Sequence, residues 1–471
     1  MSKTKIICTI GPATASIEAL QALDNAGMSV ARLNGSHADL GWHEKTIAMI
    51  RTQLPNTPIL LDIPGRKVRT TALAVEPVFR AGETITLTTD ISHDGTHKVP
   101  VNYADLHLDL KAGATVLADD GTLRFTVVSV DGQDILCKAE VDGQLKSKKG
   151  INVPHISLRT KTITSRDISM IEFAKKNEVD FIGISFVESA QHVEDIRAAI
   201  GARSPRIISK VENLNGLRNT EEIARASDAL MIDRGDLSVE TDLASVTLNQ
   251  KEIIRIARAC NKPVIVATEM LHTMIEHSYP TKAEVADITN AVLDGCAATM
   301  LSGETAIGAY YLDAVSLMRE VTDKVNAFRN GPRQSKKTAS GVPDAIEDAI
   351  ALICDELPID KIVAITVSGF AAEKISTRQP AQPIIAVSNN KTTARAANLL
   401  PGVEGVVVDI DFSKTSTDHV AQSLECLWRE GRITKDDMIL VTAVSYPNSG
   451  NRMNLIQTHT VSDLISSLGW R

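Results

Sequence analysis

Eight short apolar runs recur along the first two-thirds of the chain, each closed by turn or charged residues: TKIICTIG from Thr4, SVARLNG from Ser29, PILLDIPG from Pro58, DFIGISF from Asp180, RIISKVE from Arg206, ALMIDRGD from Ala229, PVIVATE from Pro263 and AATMLSGE from Ala297. Runs of this length between turn signals predict strands. Between them, SIEALQALDNAG, WHEKTIAMIRTQL, DISMIEFAKKN, VEDIRAAIG, LNQKEIIRIARACN and AEVADITNAVLDG place apolar residues three and four apart, the spacing of helices with one buried face. Eight such units in about 330 residues predict an α/β fold, a closed (β/α)8 TIM barrel. An open doubly wound sheet is the competing arrangement, but polar groups at the carboxyl end of every strand favour closure.

The rhythm breaks after the third strand. FRAGETITLTTD, GATVLADDGTLRFTVVSVDG and DILCKAEVDGQL alternate apolar and polar residues between Gly and Asp turns, which predicts an inserted small β-barrel lid over 70–150. The catalytic barrel then comprises 1–69 and 151–330. The segment GPRQSKKTASGVPD changes composition, and KIVAITVSG, PIIAVSN, EGVVVDI, DMILVTAVS and a run near Asn454–Val461 predict a C-terminal α/β regulatory domain over 331–471.

Composition narrows the function classes. Of the 471 residues, 43% are hydrophobic and 23% charged, as in a soluble globular protein. The net charge of −8 carries no basic footprint for nucleic acid. Six scattered cysteines show neither a CxxC pair nor zinc spacing. No signal peptide or membrane-spanning run is present, so a cytoplasmic location is expected.

In a barrel, catalytic groups project from the carboxyl ends of strands. Those ends here carry Arg32 and Asn34, Asp62, Ser185, Lys210 and Glu212, Arg234 and Asp236, Thr268 and Glu269, and Ser302 and Glu304. Glu212 and Asp236 could supply the two carboxylates that Mg²⁺ typically takes from protein. Lys210 shares a strand face with Glu212, and an ammonium beside a divalent cation suits phosphoryl transfer; a salt bridge to Glu212 or Asp236 is the plainer possibility. Arg32 offers a planar donor array for phosphate or carboxylate. The segment GETAIGAY lacks the ending of a Walker A loop, so any nucleotide is held otherwise.

The segments TKIICTIGPAT, ARLNGSH, SKVENLNGLRN, DRGDLSVE, VATEMLHTM, PTKAEVADITNAVLDG and MLSGETAIGAYY resemble, in order and spacing, the signatures of the pyruvate kinase family. The resemblance implies Mg²⁺- or Mn²⁺-dependent transfer of the phosphoryl group of phosphoenolpyruvate to ADP, giving pyruvate and ATP, in a homotetramer. It implies Glu212 and Asp236 as metal ligands, and Lys210 as the cation stabilising the transferring group and enolate. Arg32 would grip phosphoryl oxygens, and the backbone of Gly235 and Asp236 would meet the substrate carboxylate. Thr268 would lie near the methylene carbon, with Ser302 relaying the proton through water. Asn34, Ser36 and Asp62 match a monovalent-cation site, and Asn34, His37 and Lys149 match positions around the nucleotide.

The chain departs from the family pattern at Gly35 (phenylalanine), Asp233 (alanine), Glu269 (glutamine), Glu188 and Lys282 (both arginine), and at Pro64 and Arg66. Lys67 and Ile63 resemble the K⁺-independent branch, where an ammonium near Asn34, Ser36 and Asp62 replaces K⁺. In the C-terminal domain, the loop with Thr366, Ser368 and Gly369 resembles an effector phosphate loop. Phe370 and Ala371 stand where basic and hydroxyl residues would follow, so strong fructose bisphosphate activation is not expected. Three alternatives share these residues: an enzyme acting on another enol phosphate, a Mg²⁺-dependent pyruvate-enolate lyase and a non-catalytic sensor.

Overall fold

The computed structural model describes residues 3–65, 67–119, 121–154, 156, 163–201, 204–329, 342–412, 416–444 and 453–470. Arg66 and most of the GPRQSKKTASGVPD segment lie outside the described residues.

The eight expected barrel strands form, as Lys5–Thr9, Val30–Asn34, Ile59–Ile63, Phe181–Ile184, Arg206–Val211, Ala229–Asp233, Val264–Ala267 and Ala298–Leu301. They are parallel and pair in chain order, and the eighth closes on the first. Because side chains alternate across a strand, one set of each strand fills the barrel interior. Ile7, Val30, Leu60, Phe181, Ile208, Ala229, Met231, Ile265, Ala298 and Met300 form this inner core. The complementary set, including Ile6, Leu33, Leu61, Ile207, Leu230 and Val266, packs outward against the helices. Continuing the inner set toward the carboxyl ends leads to Thr9, Arg32, Asp62, Ser185, Lys210, Glu212 and Asp233. Register supports this convergence: Asn34 lies opposite Asp62, and Lys210 opposite Met231.

The insertion forms a six-stranded sheet and a two-stranded one over its own core, which includes Phe79, Phe125, Val116 and Ile135. The larger sheet takes in Ile151–Asn152, one strand past Gly150. It ties to the barrel rim through Asn152, whose Nδ2 donates to Glu240 Oε1 at 2.7 Å. A Cβ on Gly121 would lie 3.2 Å from Val239, so this turn seats against the helix Arg234–Glu240.

The C-terminal sheet runs Val403–Val407, Ile384–Ser388, Lys361–Ile365, Met438–Ala443 and Leu455–Thr460, the last antiparallel. This domain plugs the amino-terminal end of the barrel. Ala396 and Leu399 belong to the barrel's inner core, Arg395 Nε donates to Asp180 Oδ1 at 2.7 Å, and Lys5 Nζ donates to Val403 O at 2.6 Å. With the floor sealed, chemistry is confined to the opposite mouth. Among the described residues no helix is long and apolar enough to cross a membrane.

Candidate active site

Lys210 is the centre of the barrel mouth. Its ammonium lies 2.8 Å from Glu212 Oε1, 3.1 Å from Asp233 Oδ2 and 3.3 Å from Asp62 Oδ2, and it donates to Ser185 Oγ at 3.2 Å. Burial alone would lower its pKa, but the carboxylates of Asp62, Glu212 and Asp233 outweigh that and raise it well above the ordinary lysine value. Lys210 is therefore a fixed positive charge, not a proton donor. Arg32 is aimed at the same place: Nη2 and Nε donate to Asp62 Oδ2 at 2.6 and 3.2 Å, and Nη1 to Thr9 Oγ1 at 3.0 Å. Asp62 fits because its neighbour on the next strand is Gly183, where a Cβ would lie 2.9 Å from Asp62 Oδ1.

The sixth and seventh strand ends are clamped together. Thr268, at φ 68°, and Glu269, at φ 53°, both take left-handed backbone, which is costly outside glycine. Arg234 holds the turn: Nη2 donates to Thr268 O at 2.7 Å and Nη1 to Asp287 Oδ2 at 2.5 Å. Thr268 Oγ1 accepts from Gly235 N at 2.9 Å and donates to Ala267 O at 2.6 Å. The Gly235 N–H, expected to face a substrate carboxylate, is thus taken by Thr268 here. Glu304 braces the eighth strand end, accepting from Ser302 N at 2.7 Å and Leu271 N at 3.1 Å. The hydroxyl of Ser302 is buried and makes no hydrogen bond among the described residues.

Lys67 departs from expectation. Neither solvent-facing nor paired with Asn34, Ser36 or Asp62, its ammonium lies 2.6 and 2.8 Å from the two carboxylate oxygens of Asp236 and 5.8 Å from the Phe186 ring centroid. A Cβ on Gly150 would lie 2.9 Å from Lys67 Cε, so lid and barrel both confine the side chain. Asn34 instead turns inward on its own loop, its Oδ1 accepting from Ser36 N at 3.1 Å. Lys149 pairs with Asp119 within the lid at 2.5 Å. Burial, with Arg69 and Arg32 nearby, lowers the pKa of His37, so its imidazole is neutral near pH 7.

Glu212, Asp233 and Asp236 each bring one carboxylate oxygen within 4.8 Å of the others. Burial pushes Glu212 up to about 8 despite Lys210, and burial likewise raises Asp236 against the pull of Lys67. Asp233, which burial would also raise, is held down to about 2 by Lys210 and Lys67. A buried three-carboxylate cluster that resists full ionisation is what a divalent cation would relieve. The residues present therefore fit Mg²⁺.

The expected effector loop is in contact with the barrel floor. Gly369, at φ 86°, donates its N–H to Thr366 Oγ1 at 3.0 Å. Arg206 reaches across to Ser368 O at 3.1 Å and Glu373 Oε1 at 2.6 Å, giving this segment an interdomain role. Sequence reading missed Thr9 and Gly183 as supports, and listed Glu304 at its strand end without this bracing role. The inner-face alternation identifies Thr9, whereas Gly183 becomes legible only once Asp62 is placed beside it.

Comparison with known proteins agrees with this geometry. Residues 1–315 match the family described as "Pyruvate kinase, barrel domain" and residues 344–459 that described as "Pyruvate kinase, alpha/beta domain". A pyruvate kinase of Bacillus licheniformis is 37% identical, with 99% of this chain and 82% of that protein covered. The pyruvate kinase of Geobacillus stearothermophilus is 36% identical, over 98% and 81%, and one of Staphylococcus aureus 36%, over 99% and 82%. With both families matched, and with nearly all of this chain and about four-fifths of each relative aligned, the chain belongs to the pyruvate kinase family.

Proposed function

We propose that this chain transfers the phosphoryl group of phosphoenolpyruvate to ADP and then protonates the resulting enolate to pyruvate, using Lys210 and Arg32 as its fixed cations. The observation that carries this reading is the buried Lys210 ammonium at the barrel mouth, ringed by Asp62, Glu212 and Asp233. Glu212 and Asp236 would hold Mg²⁺, which when bound supplies positive charge to the phosphate oxygens. Lys210 faces the negative charge that develops as the bond from phosphorus to the enol oxygen breaks and a bond to the ADP β-phosphate oxygen forms. Arg32, fixed on two sides by Asp62 and Thr9, orients the phosphoryl oxygens. His37 and Lys149 would contact the nucleotide, Lys149 by leaving Asp119. A coupled assay with phosphoenolpyruvate, ADP and Mg²⁺ tests this; turnover with neither ADP nor another nucleoside diphosphate would reject it. Assembly as a homotetramer in the cytoplasm follows from the same reading.

Protonation at the methylene carbon falls to Thr268. Its hydroxyl is held in a strained turn, and Ser302, whose buried hydroxyl is uncommitted among the described residues, can pass a replacement proton through water. Thr268→Ala is expected to slow exchange of tritium from labelled pyruvate along with net turnover. Fast exchange with collapsed turnover would move Thr268 to another role.

Activity is further proposed to need no K⁺. Lys67 brings a permanent positive charge to the site, and burial, though it opposes that charge, is outweighed by Asp236, which raises its pKa. The ammonium enters the site on Asp236 rather than beside Asn34, Ser36 and Asp62, so it would act by adding positive charge near the phosphate and not by filling the monovalent-cation position itself. Equal turnover is expected in K⁺, Na⁺ and tetramethylammonium buffers of matched ionic strength, and Lys67→Glu is expected to acquire K⁺ dependence. Strong K⁺ activation of the wild type would refute this.

A further inference from the structure

Asp233 stands where the family pattern has alanine, and its position follows from strand alternation. Ala229 and Met231 face the barrel interior, so the next residue of that set, Asp233, does too, and it is 7% exposed. The register Val211 opposite Ile232 brings Glu212 and Asp233 side by side on adjacent strands. Asp236 follows within the first turn of Arg234–Glu240. On the other flank Asp233 lies opposite Ala267, whose small side chain leaves the carboxylate room.

With all four acids ionised, the charges balance only with a further cation. Asp62, Glu212, Asp233 and Asp236 face Arg32, Lys67 and Lys210, one carboxylate in excess among the described residues. Glu212 Oε1, fully buried, has the Lys210 ammonium at 2.8 Å as its partner among the described residues. We propose that Asp233 is a third carboxylate ligand of the divalent cation, completing with Glu212 and Asp236 a three-oxygen face where the family pattern provides two. A counter-ion role toward Lys210 alone would place the same carboxylate nearby but leave the cation's coordination unchanged. Three carboxylates instead of two bind a hard cation more tightly and displace one of its waters. The inference rests on the assignment of the metal to Glu212 and Asp236.

Mn²⁺ alone serves as the probe, without substrate or turnover. Affinity is measured by titration, and the number of bound waters by electron paramagnetic resonance in ¹⁷O-enriched water, for wild type, Asp233→Ala, Asp233→Asn and Glu212→Gln. Asp233→Ala is expected to weaken Mn²⁺ at least about tenfold and to add one bound water. Asp233→Asn, which removes charge but keeps shape and one carbonyl donor, should weaken affinity with a smaller change in water count. Weaker binding of Asp233→Ala with an unchanged water count would reduce Asp233 to a counter-charge and overturn the proposal, as would unchanged affinity. If Glu212→Gln also binds as wild type does, the metal assignment itself fails; if Glu212→Gln loses Mn²⁺ and Asp233→Ala does not, only the third ligand fails.

Discussion

Replacing Lys210 by methionine is expected to lower turnover by at least about a hundredfold, the size of effect typical when one well-aimed donor to a developing anion is removed. The change is isosteric to a first approximation, so access to the site is kept while the charge is lost. Its second consequence comes from the ring of acids. Lys210 is 5% exposed and serves Asp62, Glu212 and Asp233 together. Removing one partner from a buried ion cluster costs on the order of 3–5 kcal/mol, because the remaining charges lose their compensation. In EDTA the unfolding midpoint of Lys210→Met should therefore fall clearly below that of the wild type. Mg²⁺ should recover part of the difference by supplying positive charge to the same carboxylates, without recovering turnover. Near-normal turnover in Mg²⁺ would reject the assigned role of Lys210. An unchanged midpoint in EDTA would show that the acids are already neutral in the metal-free protein.

The barrel was legible in the sequence because each strand is a short apolar run closed by a turn or a charged residue, and the period of two assigns Arg32, Asp62, Lys210 and Glu212 to the interior without any coordinates. The same period assigns Asp233 inward, a consequence that emerges only when Ala229 and Met231 are seen to line the barrel. What pattern could not reach was pairing. Lys67 follows a proline-containing turn outside any strand, so neither alternation nor helical spacing fixes its direction, and its place on Asp236 depends on the lid closing over it at Gly150. The Thr366–Gly369 loop reads locally as an anion-binding turn, yet its contact is with Arg206 of the barrel, a residue 160 or more positions earlier. Long-range ion pairs of this kind leave no periodic trace in the sequence.

A different buried lysine gives a large expected pH effect on stability. Lys5 begins the first barrel strand, on the same face as Ile7 and Thr9, so its side chain enters the barrel floor where the C-terminal domain docks. Its ammonium donates to Val403 O at 2.6 Å. Burial first, and the Arg319 charge second, lower its pKa from 10.5 to about 7. Arg319 is itself engaged by Asp323 at 2.7 Å, which leaves burial as the dominant cause. For a base whose folded pKa is depressed, the unfolded chain binds the extra proton over the window between the two values. Stability is then fully present above the unfolded pKa and is lost as pH falls through the folded one. Between pH 7 and 10 the wild type should gain up to about 1.4 kcal/mol per pH unit relative to Lys5→Met, which has no proton to release. The methionine variant also leaves the Val403 carbonyl unsatisfied, at about 1–3 kcal/mol, but that cost does not vary with pH and drops out of the slope. Urea midpoints of the two proteins at pH 7, 8 and 9 measure the difference directly. Diverging lines, with the wild type gaining as pH rises, are expected; parallel lines would mean that Lys5 keeps its proton throughout and that the floor holds a permanent charge against the Val403 carbonyl.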